Sequence, residues 1–401
     1  MKKIMIIGTG LGPDTITAEG WKALEEAEVW FGSERVLELF KPGAKKAKST
    51  FPFYTKDRII QEIDQSKAHQ LAILVSGDSG FYSAANELYG ALSQLQNAEV
   101  AIIPGISTVS AFFARLGLPW QEVCLFSAHG RDITGLVSLV RRNSGVFCIT
   151  GGNTKEIGAL LEDAGFASLT VYVGENLGFE KERLFSTHVT MLRSLDLSPL
   201  SVLFFENTRP DDRIRFGIED EAFSRREGIP MTKAAVRAAV LAKLALRSED
   251  ICYDIGAGTG SISVEMALAA HKGQVFAIEK HAGAVPLIHE NRKKFNLGNV
   301  MVIGGEAPAA LAELPKPDAV FIGGSAGNMK EIIQSVGTKN PALRMVITAI
   351  TIETVQMVLS CLPQAELIQL SAAQSKKVGS QHLLIAQNPV FIMTVQGGLE
   401  P

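Results

Sequence analysis

Short continuous apolar runs alternate with stretches of helical periodicity along almost the whole chain. Residues 4–8 read as a buried strand, followed by a glycine-rich turn and a helix over 16–27. Runs at 71–75 and 100–104 repeat the pattern, the second leading into a helix at about 107–116. Apolar runs flanked by helices are what a parallel sheet covered on both faces requires. After Pro119 the pace changes, with strands expected at 146–150, 170–173 and 201–205 and a helix at 154–164. Thr232 is placed to cap a helix whose Val236, Val240 and Leu244 share one face. Alternation then resumes from a strand at 250–255. Segments 366–372 and 389–395 read as a closing antiparallel pair joined by a polar loop. The pattern predicts an α/β chain with units at 1–207 (lobes of about 1–119 and 120–207) and 229–401. The charged segment 208–228 is expected to be the linker.

Composition narrows the function. A length of 401 residues allows two or three domains. The net charge of −3 lacks the basic surplus of a nucleic-acid binder, so no nucleic-acid partner is expected. Four scattered cysteines fit reduced thiols better than a disulfide framework. No apolar stretch approaches the roughly 20 residues that span a bilayer, and the apolar run after Lys3 is too short for a signal-peptide core. A cytoplasmic location without a membrane partner is expected.

The sharpest motif is Asp254-Ile255-Gly256-Ala257-Gly258-Thr259-Gly260, between a predicted strand and a predicted helix. Its glycines allow a tight turn and close approach of a ligand. The next strand ends at Glu279, near the roughly 20-residue spacing of a ribose-binding carboxylate. Ser261 stands where a dinucleotide fingerprint would place its last glycine, which favours adenosylmethionine. Two further strand ends, Gly304-Gly305-Glu306-Ala307-Pro308 and Phe321-Ile322-Gly323-Gly324-Ser325, belong on the same rim. Together with Pro230-Met231-Thr232-Lys233, these motifs resemble the precorrin C15-methyltransferase (decarboxylating) family from about residue 228 onward. The resemblance implies a Rossmann-like class I methyltransferase domain. It also implies that Thr232, Gly256, Ala257, Gly258, Thr259, Gly260, Glu279 and Ala307 line S-adenosyl-L-methionine.

In the first half, Gly8-Thr9-Gly10-Leu11-Gly12-Pro13 follows the first strand, and Pro13 removes an N–H that phosphate recognition would use. Successive strand ends read Ser76-Gly77-Asp78-Ser79-Gly80-Phe81 and Pro104-Gly105-Ile106-Ser107-Thr108. In this order they resemble the tetrapyrrole (corrin/porphyrin) methylase family, although Ser79 stands where that family commonly has proline. The resemblance implies the two-lobed tetrapyrrole methylase fold, with Pro13, Gly77, Asp78, Phe81, Ser107 and Thr108 on the cofactor side of the cleft. His129 and Arg131 are candidates for substrate carboxylates, as are Lys233 and Arg237 beside the second glycine loop.

The two halves in one chain resemble the precorrin-6Y C5,15-methyltransferase (decarboxylating) family. That resemblance implies methylation of a small-molecule tetrapyrrole at carbons 5 and 15 in cobalamin biosynthesis, with decarboxylation of the ring C acetate. A homo-oligomer is expected. The sulfonium methyl is already electrophilic and the meso carbon enamine-like, so positioning and exclusion of water are the main demands. No catalytic residue and no metal ligand stands out. A dinucleotide-binding oxidoreductase, an RNA-modifying methyltransferase and a non-catalytic binding module remain alternatives at this point.

Overall fold

The computed structural model describes residues 1–43, 49–52 and 55–397. The first lobe is a five-stranded parallel sheet in the order β3-β2-β4-β1-β5, where β1 is Lys2–Gly8, β2 Val29–Phe31, β3 Ser49–Phe51, β4 Gln70–Val75 and β5 Ala98–Ile103. Ile4, Ile6, Leu71 and Ile73 bury one face of it and Ile7, Trp30, Ala72 and Leu74 the other. Covering both faces is what makes these strands uniformly apolar.

The second lobe is also five-stranded but mostly antiparallel, in the order β6-β7-β10-β8-β9. Its strands are β6 (Cys124–Ser127), β7 (Gly145–Ile149), β8 (Thr170–Glu175), β9 (Arg183–His188) and β10 (Ser201–Glu206). Only β6 and β7 run parallel. The parallel sheet expected from the apolar runs before Pro119 is present in the first lobe, and the change of pace after Pro119 accompanies a change to mostly antiparallel pairing.

The C-terminal half holds a seven-stranded sheet in the order β13-β12-β11-β14-β15-β19-β16. Its strands are β11 (Ile251–Ile255), β12 (Gln274–Glu279), β13 (Val300–Gly304), β14 (Ala319–Ile322), β15 (Arg344–Ala349), β16 (Glu366–Leu370) and β19 (Val390–Gln396). The closing antiparallel pair is present as β16 and β19. The intervening segment, read as a polar loop, is a hairpin of β17 (Ala373–Val378) and β18 (Gln381–Ala386), every residue of which is exposed.

Segment 208–228 joins the halves, but from Gly217 onward it is fastened to the C-terminal half. The Gly217 and Ile218 amides donate to the Glu265 carboxylate at 2.7 and 3.0 Å. The halves also touch directly. Arg292 pairs with Asp163, and the Asn296 side chain donates to the Ala164 carbonyl at 3.0 Å.

A candidate pair of ligand clefts

In the first-lobe sheet and the C-terminal sheet the cleft lies at the carboxyl ends of the parallel strands, where strand order reverses and an open α/β sheet places its ligand. In the first lobe Gly8 ends β1, Gly77 and Gly105 lie in the turns after β4 and β5, and their backbones are in contact. A Cβ on Gly105 would stand 2.4 Å from the Gly77 oxygen and 2.6 Å from the Gly8 carbonyl. Gly77 also exchanges two backbone hydrogen bonds with Gly10, at 2.9 and 3.0 Å. Since every neighbour is backbone, nothing can swing aside. Gly105→Ala is therefore expected to destabilise the chain by about 1–3 kcal/mol, measured as a lowered urea midpoint.

A cleft of about 270 Å³ opens between this junction and the second lobe. Thr9, Gly10 and Thr108 form one wall, and His129, Thr150 and Ser201 the other. Of the residues predicted here, Thr108 and His129 line it. The others stand behind it or on its flank. The Asp78 carboxylate accepts from the Gly80 amide at 3.0 Å and the Gly105 amide at 3.3 Å, locking two turns together. Ser107 caps the helix Thr108–Leu116 by accepting from the Ser110 amide at 3.1 Å. The Pro13 carbonyl accepts from the Trp21 indole at 3.2 Å. Phe81 packs on Phe147, and Arg131 lies 5.3 Å from the Tyr82 ring. Sequence reasoning missed Arg35, which lines the cleft with its guanidinium 5.5 Å from the Phe179 ring. Its signal was the apolar Val29-Trp30-Phe31 run followed by Gly32-Ser33, a short strand leading into a helix start.

The second cleft, of about 280 Å³, lies over β11, β12 and β14. Gly256 has φ +76° and Gly258 φ +56°, values that favour glycine. A Cβ on Gly256 would meet the Gly324 backbone at 2.8 Å, and one on Gly258 the Pro230 oxygen at 2.5 Å. The turns after β11 and β14 are thus pressed together at the reversal point. Glu279 is nearly buried, and its two oxygens accept from the Gly258 and His281 amides at 2.7 Å each. That fixes the carboxylate against the glycine loop while leaving each oxygen a second lone pair. Gly256, Gly258, Glu279 and Ala307 line the cleft as expected, with Lys280 and Ser325 beside them. Ala257, Thr259 and Gly260 are buried behind it, and the Thr259 hydroxyl has no partner there.

Two expectations are corrected. Arg237, taken as a substrate contact, is completely buried. Its Nε donates to Glu265 at 2.7 Å and its Nη1 to Asp220 at 2.9 Å, while further donors reach the Thr232 and Ile218 carbonyls. Its position one turn from Lys233 gave no hint of this, because its two acidic partners lie 17 and 28 residues away. Thr232 does not cap the helix. Ala234–Leu244 starts one residue later, with Lys233 at the cap and no side-chain cap bond. Neither Thr232 nor Lys233 lines the cleft; Lys233 is half-exposed and lies 3.4 Å from Asp220.

Asp254, at the end of β11, is fully buried. One oxygen accepts from the Ser263 hydroxyl and the other has no partner. Burial pushes its carboxyl up to about 7. The folded state therefore holds the proton more tightly than the unfolded chain, whose carboxyl titrates near 4. Stability contributed by Asp254 is present at low pH and is lost as pH rises toward 7. Asp254→Asn is expected to raise the unfolding midpoint more at pH 8.5 than at pH 5.5. Equal changes at the two values would contradict the assignment.

Known proteins resemble both halves. Residues 3–192 match the tetrapyrrole (corrin/porphyrin) methylases, and residues 221–396 match a precorrin methyltransferase domain. A Sinorhizobium precorrin-6Y C(5,15)-methyltransferase [decarboxylating] is 31% identical over 352 residues, covering 85% of this chain and 84% of the relative. The Salmonella typhimurium cobalt-precorrin-6B C(15)-methyltransferase (decarboxylating) is 40% identical over 185 residues, which are 45% of this chain and 95% of that protein. A crystal structure of a Geobacter metallireducens precorrin-6y C5,15-methyltransferase is 34% identical, with a TM-score of 0.43 over 45% of this chain and 97% of that one. Two methylase segments in one polypeptide, aligned with a two-activity relative over most of both lengths, show that the chain belongs to the precorrin-6Y C5,15-methyltransferase (decarboxylating) family.

Proposed function

We propose that this chain methylates carbons 5 and 15 of precorrin-6B, or of its cobalt form, and releases the ring C acetate carboxyl as carbon dioxide. The observation that carries the reading is the presence of two separate glycine-lined clefts, each at the carboxyl ends of parallel strands. The N-terminal unit, 1–207, serves carbon 5. The C-terminal unit, 229–401, serves carbon 15 and the decarboxylation. A relative with the second activity alone spans less than half of this chain, which supports that division.

S-adenosyl-L-methionine supplies an electrophilic methyl group to each cleft. The second cleft fits such a ligand because Glu279 is held in place with spare lone pairs for hydroxyl donors, and Gly324 leaves open space where a side chain would stand. Thr108, with Ser107 ordering the helix start behind it, serves the first cleft, while Gly77 and Asp78 hold its rim. His129, Arg131 and Lys233 are retained as contacts for the substrate's carboxylates, joined by Arg35. The chain's work is to orient donor and acceptor and to exclude water. Among the described residues no helix is long and apolar enough to cross a membrane. We place the enzyme in the cytoplasm as a homo-oligomer; Leu383, Leu384 and Ile385, exposed on the β17–β18 hairpin, support self-association.

The test incubates the whole chain, and the halves separated near residue 210, with reduced substrate and adenosylmethionine, and follows product mass. The whole chain should add two methyl groups and lose one carbon dioxide. The first half should add one methyl. A second half that methylates without releasing carbon dioxide would overturn the division of roles.

A further inference from the structure

The seam between the two halves concentrates positive charge that the acids beside it, Asp211 and Asp212, neutralise only in part. A cavity of about 240 Å³ there is lined by Arg141 and Asn207 from the second lobe, Arg209 and Arg215 from the joining segment, and Lys294 and Asn296 from the C-terminal half. Asp211 is the one acid on its wall. That carboxylate is already shared, accepting from Arg213 at 2.8 Å and from Arg215 at 2.6 Å, with Arg141 at 4.0 Å. The Arg141 side chain is only 7% exposed, yet its Nη2 is buried without a partner. The Arg215 Nε is buried and unpartnered as well. Arg209 and Lys294 make no ion pair among the described residues. A buried guanidinium with unused donors is unfavourable unless an anion meets it. Four cations around one overcommitted carboxylate form the complement of a small oxyanion, which guanidinium groups bind with paired N–H donors.

We propose that this seam is a binding site for a small oxyanion, a phosphate or a carboxylate, held by Arg141, Arg209, Arg215 and Lys294. It is separate from both methyl-transfer clefts and shares none of their lining residues. Its walls come from both halves, so an occupied site ties them together and shields the joining segment.

The test titrates the intact chain by calorimetry with inorganic phosphate and, in a second arm, with succinate, both at constant ionic strength to remove screening effects. One saturable site per chain is expected in at least one arm. Binding in the phosphate arm alone identifies a phosphate site, and binding in the succinate arm a carboxylate site. The variant Arg209→Gln/Lys294→Gln changes two exposed side chains and should weaken binding about tenfold or more. Arg141→Gln should do the same, and the double variant decides if that protein fails to fold. The bound anion should slow proteolytic cleavage within 208–216 in the native chain and not in the double variant. No saturable heat in either arm, or an affinity unchanged by the double variant, would overturn the proposal.

Discussion

Glu279→Ala is expected to weaken adenosylmethionine binding in the C-terminal cleft by on the order of 100-fold, since hydrogen bonds to a charged group contribute about 1.5–3 kcal/mol each. The side chain has two tasks. Its oxygens hold the Gly258 and His281 amides, and each keeps a second lone pair for a ligand in the cleft it lines. Glu279→Gln keeps the shape but sets an NH2 against one of those amides, so it should fail nearly as badly. The reaction readout is specific. The variant should still add the carbon-5 methyl group to the tetrapyrrole, because the N-terminal cleft shares no residue with this one. Addition of the carbon-15 methyl and release of carbon dioxide should both fall by a similar factor at limiting donor concentration. Loss of both methylations together would show that the clefts are not independent.

Arg237→Met is expected to destabilise the C-terminal half by about 3–5 kcal/mol, the cost of stranding a buried charge. Glu265 is as deeply buried as Arg237 and would keep only the Gly217 and Ile218 amides. Burial already pushes its carboxyl upward against the pull of Arg237. Removing the arginine takes away the pull that opposes this rise and moves the carboxyl further up. The double change Arg237→Met/Glu265→Met removes both charges and should recover much of the loss. Urea midpoints of the three proteins measure this. A substrate-binding Arg237 would instead raise KM and leave the midpoint alone.

The sequence patterns were most legible where strands are buried on both faces. Strands β1, β4, β11 and β12 are largely apolar runs because both of their faces are buried, and Gly8 and Gly256 at the ends of β1 and β11 mark backbone contacts that admit no Cβ. The pattern failed where that logic lapses. Strands β2 and β3 are three residues long and leave little periodicity to detect. The β17–β18 hairpin is exposed throughout, so its residues alternate in no useful way. In the second lobe an apolar run gave the strand but could not give its direction. The site shows the same division. Gly256, Gly258 and Glu279 were found because turn geometry and spacing are local properties. Arg237 was misjudged because burial depends on Asp220 and Glu265, which only the fold brings to it.

The central claim is that each half presents its own adenosylmethionine site. Equilibrium titration of the full chain with adenosylmethionine, read by calorimetry, addresses it directly. Two sites per chain are predicted, falling to one in Glu279→Ala over the same concentration range. A single site in the unaltered chain, or none, would contradict the account.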